Sequence, residues 1–203
     1  MTNQQSLNKT ASDIIICDTN VVILMTLFKP TVMFAAVYSF GKIKVHQCVI
    51  DQLQNWVDKN NQKAKRFSIQ ILEQAIDLCK SVSKNIKEPT PDQFTRSAAY
   101  ISKKERSLGS QQKSMATDKT DQLLLILAYV NKAHLATQEK TMTSVGELTL
   151  PPGSILRFED LVLDLIKLNL LVSDDLKSGL YSLDSFKEKL DANKRKQIES
   201  HIK

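Results

Sequence analysis

Asp13-Ile14-Ile15-Ile16-Cys17-Asp18-Thr19-Asn20 is the stretch whose reading decides the fold. Three consecutive isoleucines read as a strand buried on both faces, as inside a parallel sheet. Asp18 stands where that apolar run ends. In an open α/β sheet the C-terminal strand edge is where ligands bind, so Asp18 is a candidate site residue. Thr19 and Asn20 then turn the chain into a helix. Asp18 also reads as the cap of that helix, because Asp and Asn are among the best capping residues.

Outward from this stretch, residues 21–28 are apolar and predict a helix that stops near Lys29-Pro30, since proline disfavours helix in the residue before it. Residues 31–40 predict a second helix, closed by Gly41. Ile43-Lys44-Val45-His46 alternates and predicts a short strand. Residues 49–57 have helical apolar spacing, with Leu53 and Trp56 facing inward. A basic link at 59–66, holding Lys59, Lys63, Lys65 and Arg66, leads to an amphipathic helix over 67–82. Its stripe is Ile69, Leu72, Ile76 and Leu78 or Cys79. Pro91 suits the opening turn of a further helix, about 92–106, whose end is basic through Lys103, Lys104 and Arg106. A polar loop at 108–114 follows.

Residues 117–128 predict a helix that is apolar nearly all round after its first turn, and hence buried. Residues 133–137 predict a strand. Residues 148–150 and 155–158 suggest one more around the turn Pro151-Pro152-Gly153. A Leu-rich helix is expected over 159–171, then a helical tail with Leu176, Leu180, Leu183, Phe186, Leu190 and Ile198 as apolar positions. The tail's charged end, 187–203, reads as a solvated face.

A chain of 203 residues implies one domain with an extension, long enough to bury a core without staples. Its 42% hydrophobic and 25% charged content is ordinary for a soluble globular protein. The net charge of +6 favours an anionic partner, nucleic acid before membrane. Cys17, Cys48 and Cys79 lie far apart with no CxxC pair, which suggests a reducing compartment and no zinc site. Residues 1–12 are polar, and the apolar runs are too broken to span a bilayer, so a cytoplasmic location is expected. No glycine-rich phosphate loop and no Ser/His/Asp arrangement is evident. His46 and His134 read as structural, His201 as solvated.

The carboxylates carry the functional signal. Acids recur at strand ends and at a helix start: Asp18, then Asp118 and Asp121, then Glu139. The i,i+3 spacing of Asp118 and Asp121 puts both on one helix face, where acids also complement the helix dipole. Three pieces stand in order: Ile14-Ile15-Ile16-Cys17-Asp18-Thr19-Asn20, Asp121 with Ala128, and Leu135-Ala136-Thr137-Gln138-Glu139. In that order the sequence resembles the PIN-domain nuclease family, over about residues 12–160. The family usually shows aspartate in a Thr-x-Asp pattern where this chain has Glu139.

The resemblance implies a PIN-like three-layer α/β/α fold around a central, mainly parallel sheet. The domain would span 13–160, between a flexible tail at 1–12 and a C-terminal helical extension at 161–203. It implies a metal-dependent endoribonuclease that hydrolyses RNA phosphodiester bonds through a carboxylate cluster, with DNA left open as substrate. Asp18, Asp118, Asp121 and Glu139 would be the catalytic and metal-holding acids, with Mg²⁺ or Mn²⁺ as cofactor. Asn20 and Thr137 would orient carboxylates or touch phosphate, and Lys63, Arg66, Lys103 and Lys104 would grip the backbone. The setting would be a toxin with an antitoxin partner, RNA processing or phage defence, without membrane and as a possible homo-oligomer. The chemistry asks for such a cluster: packed carboxylates repel unless a cation neutralises them, and hard oxygen ligands suit these ions.

One position departs from the family. A glutamate commonly precedes a leucine in the helix after the second strand, and here Val49-Ile50-Asp51-Gln52-Leu53 places Gln52 there. Either Asp51 substitutes as a metal ligand from one residue earlier, or this acid is missing. Adjacent helix positions point about 100° apart, so Asp51 is no automatic replacement; Asp118 is another candidate to complete the site. The departure motivates a second reading, a catalytically degenerate PIN-like module that binds RNA or protein. A phosphatase of the haloacid dehalogenase type is a third, but it needs an acid two residues after Asp18, where Asn20 stands.

Overall fold

The computed structural model describes residues 14–58, 67–82, 85–108 and 119–202. The tail at 1–12, the basic link at 59–66 and most of the 108–114 loop lie outside them. Among the described residues the chain is a mixed α/β fold, mostly helical, around an open four-stranded sheet. The strands are β1 (Ile15–Cys17), β2 (Ile43–Lys44), β3 (His134–Ala136) and β4 (Ile155–Leu156), in the order β2-β1-β3-β4 and all parallel. Ile15 pairs with Ile43 on one side and with His134 on the other. The triple isoleucine reading holds for Ile15 and Ile16, which form the strand with Cys17 and are buried throughout; Ile14 lies just before it and is half-buried.

Helix α1 (Thr19–Phe28) leaves the end of β1 and is buried along nearly its whole length. It packs against α2 (Pro30–Phe40), α3 (Gln47–Asp58), α4 (Ile69–Ser81), α8 (Phe158–Lys167) and α9 (Ser173–Ser185). A helix with neighbours on all sides has no polar face, which explains its uniform apolar sequence. Pro30 opens α2, and Gly41 in the left-handed region closes it with an N–H bond to the Val37 carbonyl. On α3, Val49, Ile50, Leu53 and Trp56 are buried and Asp51 is exposed.

Helix α5 (Pro91–Ser107) opens with a Thr90–Gln93 capping box. It packs on α6 (Lys119–Asn131) and on α7 (Lys140–Thr149). Residues Leu124, Leu125, Ile126, Leu127 and Ala128 of α6 are all buried, where the helix lies against β1 and β3.

Three local expectations fail. Ile69 does not belong to the buried stripe of α4: it is 56% exposed, as the first helical residue after the cap Ser68. Residues 148–150 do not form a strand; Leu148 and Thr149 end α7, and Leu150 caps it. The buried set Met142, Val145, Gly146 and Thr149 is helical in spacing. Gly146 lets α7 lie close on β4, since a Cβ there would sit 2.3 Å from the Ile155 side chain. Finally, the charged C-terminal end is not simply solvated.

Helix α10 (Ala192–Glu199) packs on α8 and α9 with Ile198 fully buried. Lys194 pairs with Asp160 at 2.7 Å, and Arg195 grips Asp184 with two nitrogens. Helix α9 rests on α1, where Gly179 faces the Phe28 ring, and Lys29 pairs with Asp175 at 2.9 Å. No helix among the described residues is long and apolar enough to cross a membrane.

Candidate functional site

The sheet order fixes where a site can form. The chain runs from β1 to β2 on one side, then returns to place β3 on the other side of β1. The crevice at the C-terminal ends of β1 and β3 is therefore a topological switch point, the usual ligand position in open α/β sheets. Asp18 follows β1 there, and its backbone N–H bonds the Ala136 carbonyl at 3.0 Å, the last rung of the β1–β3 ladder. Thr137 follows β3 and is anchored by its N–H to the Leu156 carbonyl at 2.9 Å.

Asp18 both caps α1 and sits in this crevice. Its Oδ1 accepts the Val21 N–H at 2.7 Å. Its Oδ2 accepts the Thr137 hydroxyl, whose oxygen in turn accepts the Glu139 N–H at 3.0 Å. That N–H fixes the direction in which the Thr137 hydroxyl donates. The carboxyl is 2% exposed. Burial pushes it from its ordinary 3.8 up to about 6, with the nearby Glu139 carboxylate adding to the rise. Hydrogen bonds from Thr137 and from the Val21 and Gln138 N–H groups oppose it. Beneath it, burial also raises the Cys17 thiol.

Gln52 bonds to the residue that follows Asp18: its Oε1 accepts the Thr19 hydroxyl. Asp51 does not. It is exposed on α3 and bonded to the Gln47 amide at 2.9 Å, as the 100° offset requires. Asp121 lies in the first turn of α6, half-buried. Helix α6 packs on β3 and its C-terminal end feeds that strand, so its N-terminus lies toward the C-terminal sheet edge. Asn20 is exposed in the first turn of α1. Lys103 is exposed on α5, and the Lys104 ammonium lies 5.6 Å from the centre of the Tyr100 ring. Asp118, Lys63 and Arg66 lie outside the described residues.

The structure thus brings together Asp18, Thr137 and Glu139, with Gln52 bonded to the adjoining Thr19. Among the described residues, no three His, Cys, Asp or Glu side chains gather closely enough to hold a metal ion. The full acid cage implied by the resemblance is therefore not closed by Asp18, Asp121 and Glu139 alone. The donor chemistry still suits one hard cation. A carboxylate offers about four lone-pair sites, and Asp18 has three donors on it. Magnesium is commonly held by one or two carboxylates plus substrate phosphate and water. Asp18 and Glu139 make such a pair, and their mutual repulsion is what a cation relieves.

Glu159 is a site neighbour that sequence reasoning missed. It is fully buried in the first turn of α8 and accepts from the Gln138 amide at 2.9 Å and the Asp191 N–H at 2.7 Å. In the sequence it is one of two acids opening a helix, indistinguishable from Asp160, which accepts the Arg157 N–H at 2.8 Å. Gln138 Oε1 is buried without a hydrogen-bond partner. His46 is structural: it pairs with Glu88 at 2.7 Å while its Nδ1 accepts the Cys48 N–H. Burial pushes the Cys48 thiol up to about 12, far from nucleophilic use.

These features define an open parallel α/β sheet with a carboxylate pair at its switch point. Comparison of the chain with protein-family models, with curated proteins and with solved structures finds no match.

Proposed function

We propose that this chain is a PIN-like nuclease that hydrolyses RNA phosphodiester bonds with the help of Mg²⁺ or Mn²⁺. The observation that carries this reading is the Asp18–Thr137–Glu139 linkage at the switch point, with its buried carboxyl raised to about 6. Asp18 and Glu139 would hold the ion, and Asp121 stands in the first turn of α6, whose N-terminus lies toward the same edge. A bound divalent ion supplies charge neutralisation for the phosphodiester and an activated water. Thr137 holds Asp18 in one orientation, and the Val21 N–H does the same from the helix end. The basic residues of α5, Lys103 and Lys104, supply backbone attraction without sequence choice.

A second reading, an RNA-binding module without hydrolysis, is favoured by one observation. Gln52 puts a neutral amide, bonded to Thr19, where the family has an acid. One experiment separates the two. Single-stranded and structured RNA are incubated with wild type, Asp18→Asn and Asp121→Asn, in Mn²⁺, Mg²⁺ or EDTA. The nuclease reading expects metal-dependent cleavage by wild type, lost in Asp18→Asn and reduced in Asp121→Asn. Cleavage that survives Asp18→Asn overturns the site assignment. Binding without cleavage moves the reading to the module.

A further inference from the structure

We infer that Tyr100 and Tyr129, with Lys104, form a platform on the α5–α6 face on which a base of single-stranded RNA stacks. This rests on the RNA reading above and names the form of RNA that it takes.

The two rings come from different helices, Tyr100 from α5 and Tyr129 from α6. Their centres are 5.4 Å apart at a tilt of 32°, yet each residue stays more than a third exposed. An aromatic pair fixed by its own contact and left in water offers an ordered surface already in place. The Lys104 ammonium completes it, 5.6 Å from the Tyr100 ring centre.

The surrounding charge fits a nucleic acid. Arg96, Lys103 and Lys104 lie four before, three after and four after Tyr100, and so share its face. Arg96 is tied to Asp92 at 2.9 Å, which leaves Lys103 and Lys104 as the cations of the rim. Glu105 falls on the far side of α5 by the same helical count. Aromatic faces flanked by cations are how single strands are held, because every base has a face to stack. A duplex hides those faces.

Tyr129 is eight residues along α6 from Asp121, about 12 Å along the axis and about 80° around it. That rise leads away from the C-terminal sheet edge, so a strand reaching both the carboxylates and the rings runs along α6 and places on the rings a base several nucleotides from the phosphate at the site.

The test measures binding of a labelled single-stranded oligouridylate by fluorescence anisotropy. It uses the full chain in EDTA, so that cleavage does not intervene. Tyr100→Leu and Tyr129→Leu should each weaken binding about tenfold, the loss expected of one stacked base, with the salt dependence unchanged. Tyr100→Phe keeps the ring and should bind within about twofold of wild type. Lys104→Met should lower the slope of log affinity on log salt by about one. Circular dichroism confirms that each variant is folded.

Wild-type binding unaffected by either leucine variant overturns the inference. So does failure of wild type to bind the single strand, or tighter binding of a duplex of the same length. The nuclease reading fails separately: tyrosine-dependent binding with no cleavage removes hydrolysis and leaves the platform. Cleavage lost in Asp18→Asn with tyrosine-independent binding removes the platform and leaves the nuclease.

Discussion

Protonation of Asp18 should set part of the pH dependence of stability. Its carboxyl has an ordinary value of 3.8 and is pushed up to about 6 in the fold, first by burial. An acid raised on folding binds its proton more tightly in the native state. The stability it contributes is therefore present at low pH and lost as pH rises through about 6. The full difference between the two values is worth about 3 kcal/mol. Linkage puts about 1.4 kcal/mol of it between pH 8 and pH 5.

The assay is urea unfolding in EDTA, followed by fluorescence of the buried Trp56, from pH 5 to pH 8. Wild type and Asp18→Asn are run together and subtracted, so that the other titrating groups cancel. The amide variant keeps an acceptor for Val21, but its nitrogen carries two donors and accepts nothing, where the protonated carboxyl carries one donor and still accepts on both oxygens, so it should be the weaker protein at pH 5. Its deficit should shrink by about 1.4 kcal/mol on going to pH 8. A deficit that stays flat across this range, or grows with pH, would refute the argument. Asp18 would then be ionised throughout and satisfied by its donors alone.

Further consequences are equally direct. Mn²⁺ at pH 8 should raise the unfolding midpoint of wild type and not of Asp18→Asn, and the effect should fade toward pH 5, where proton and cation compete; an equal rise in both proteins removes Asp18 from any metal site. Gln52→Glu should fold, since a carboxylate still accepts the Thr19 hydroxyl, should cost about 1 kcal/mol in EDTA at pH 8, and should enlarge the Mn²⁺ response; an unchanged response places residue 52 outside the site. Gly179→Ala would set a methyl 2.6 Å from the Phe28 ring, an overpacking cost of about 1–3 kcal/mol set against a helix gain of about 1, so the Tm should fall, by up to about 8 °C; a rise would mean that α9 does not rest on Phe28. Glu159→Ala should cost about 2–4 kcal/mol, because the Gln138 amide and the Asp191 N–H lose a buried acceptor; denaturant unfolding with a loss under about 0.5 kcal/mol would show that water replaces it.

Much of the fold was legible because several signals agreed at the same residues. Three isoleucines, a capping aspartate and a proline mark β1, α1 and the start of α2. The continuous apolar run of α6 marks a helix laid on the sheet. Where signals conflicted, the local one misled. The triplet Leu148-Thr149-Leu150 alternates like a strand, but the spacing from Met142 to Thr149 is helical and governs what is buried. Ile69 shares the periodicity of α4, yet periodicity marks a face and not where along it the neighbouring element begins. The burial of Glu159 had no signal at all. Its acceptors are used by Gln138, about twenty residues before it, and by Asp191, about thirty after, and no local pattern encodes a partner chosen by the return of the chain.

The candidate site divides in the same way. The order of acids places Asp18, Asp121 and Glu139 toward one sheet edge, because edge position follows from strand and helix direction. Whether they close around an ion depends on side-chain neighbours, and under the nuclease reading Gln52 is the neighbour that bears on it. A glutamate at that position would add a third carboxylate near Asp18 and Glu139, and the crevice without its ion would become costlier to fold. The amide instead accepts the Thr19 hydroxyl and leaves Asp18 to be neutralised by a proton below about 6. Under the nuclease reading, the substitution exchanges cation affinity for stability of the empty crevice. On that reading the cation would be held mainly by Asp18, Glu139 and the phosphate of the bound strand. Affinity for metal and for RNA become coupled, each strengthening the other by the same factor.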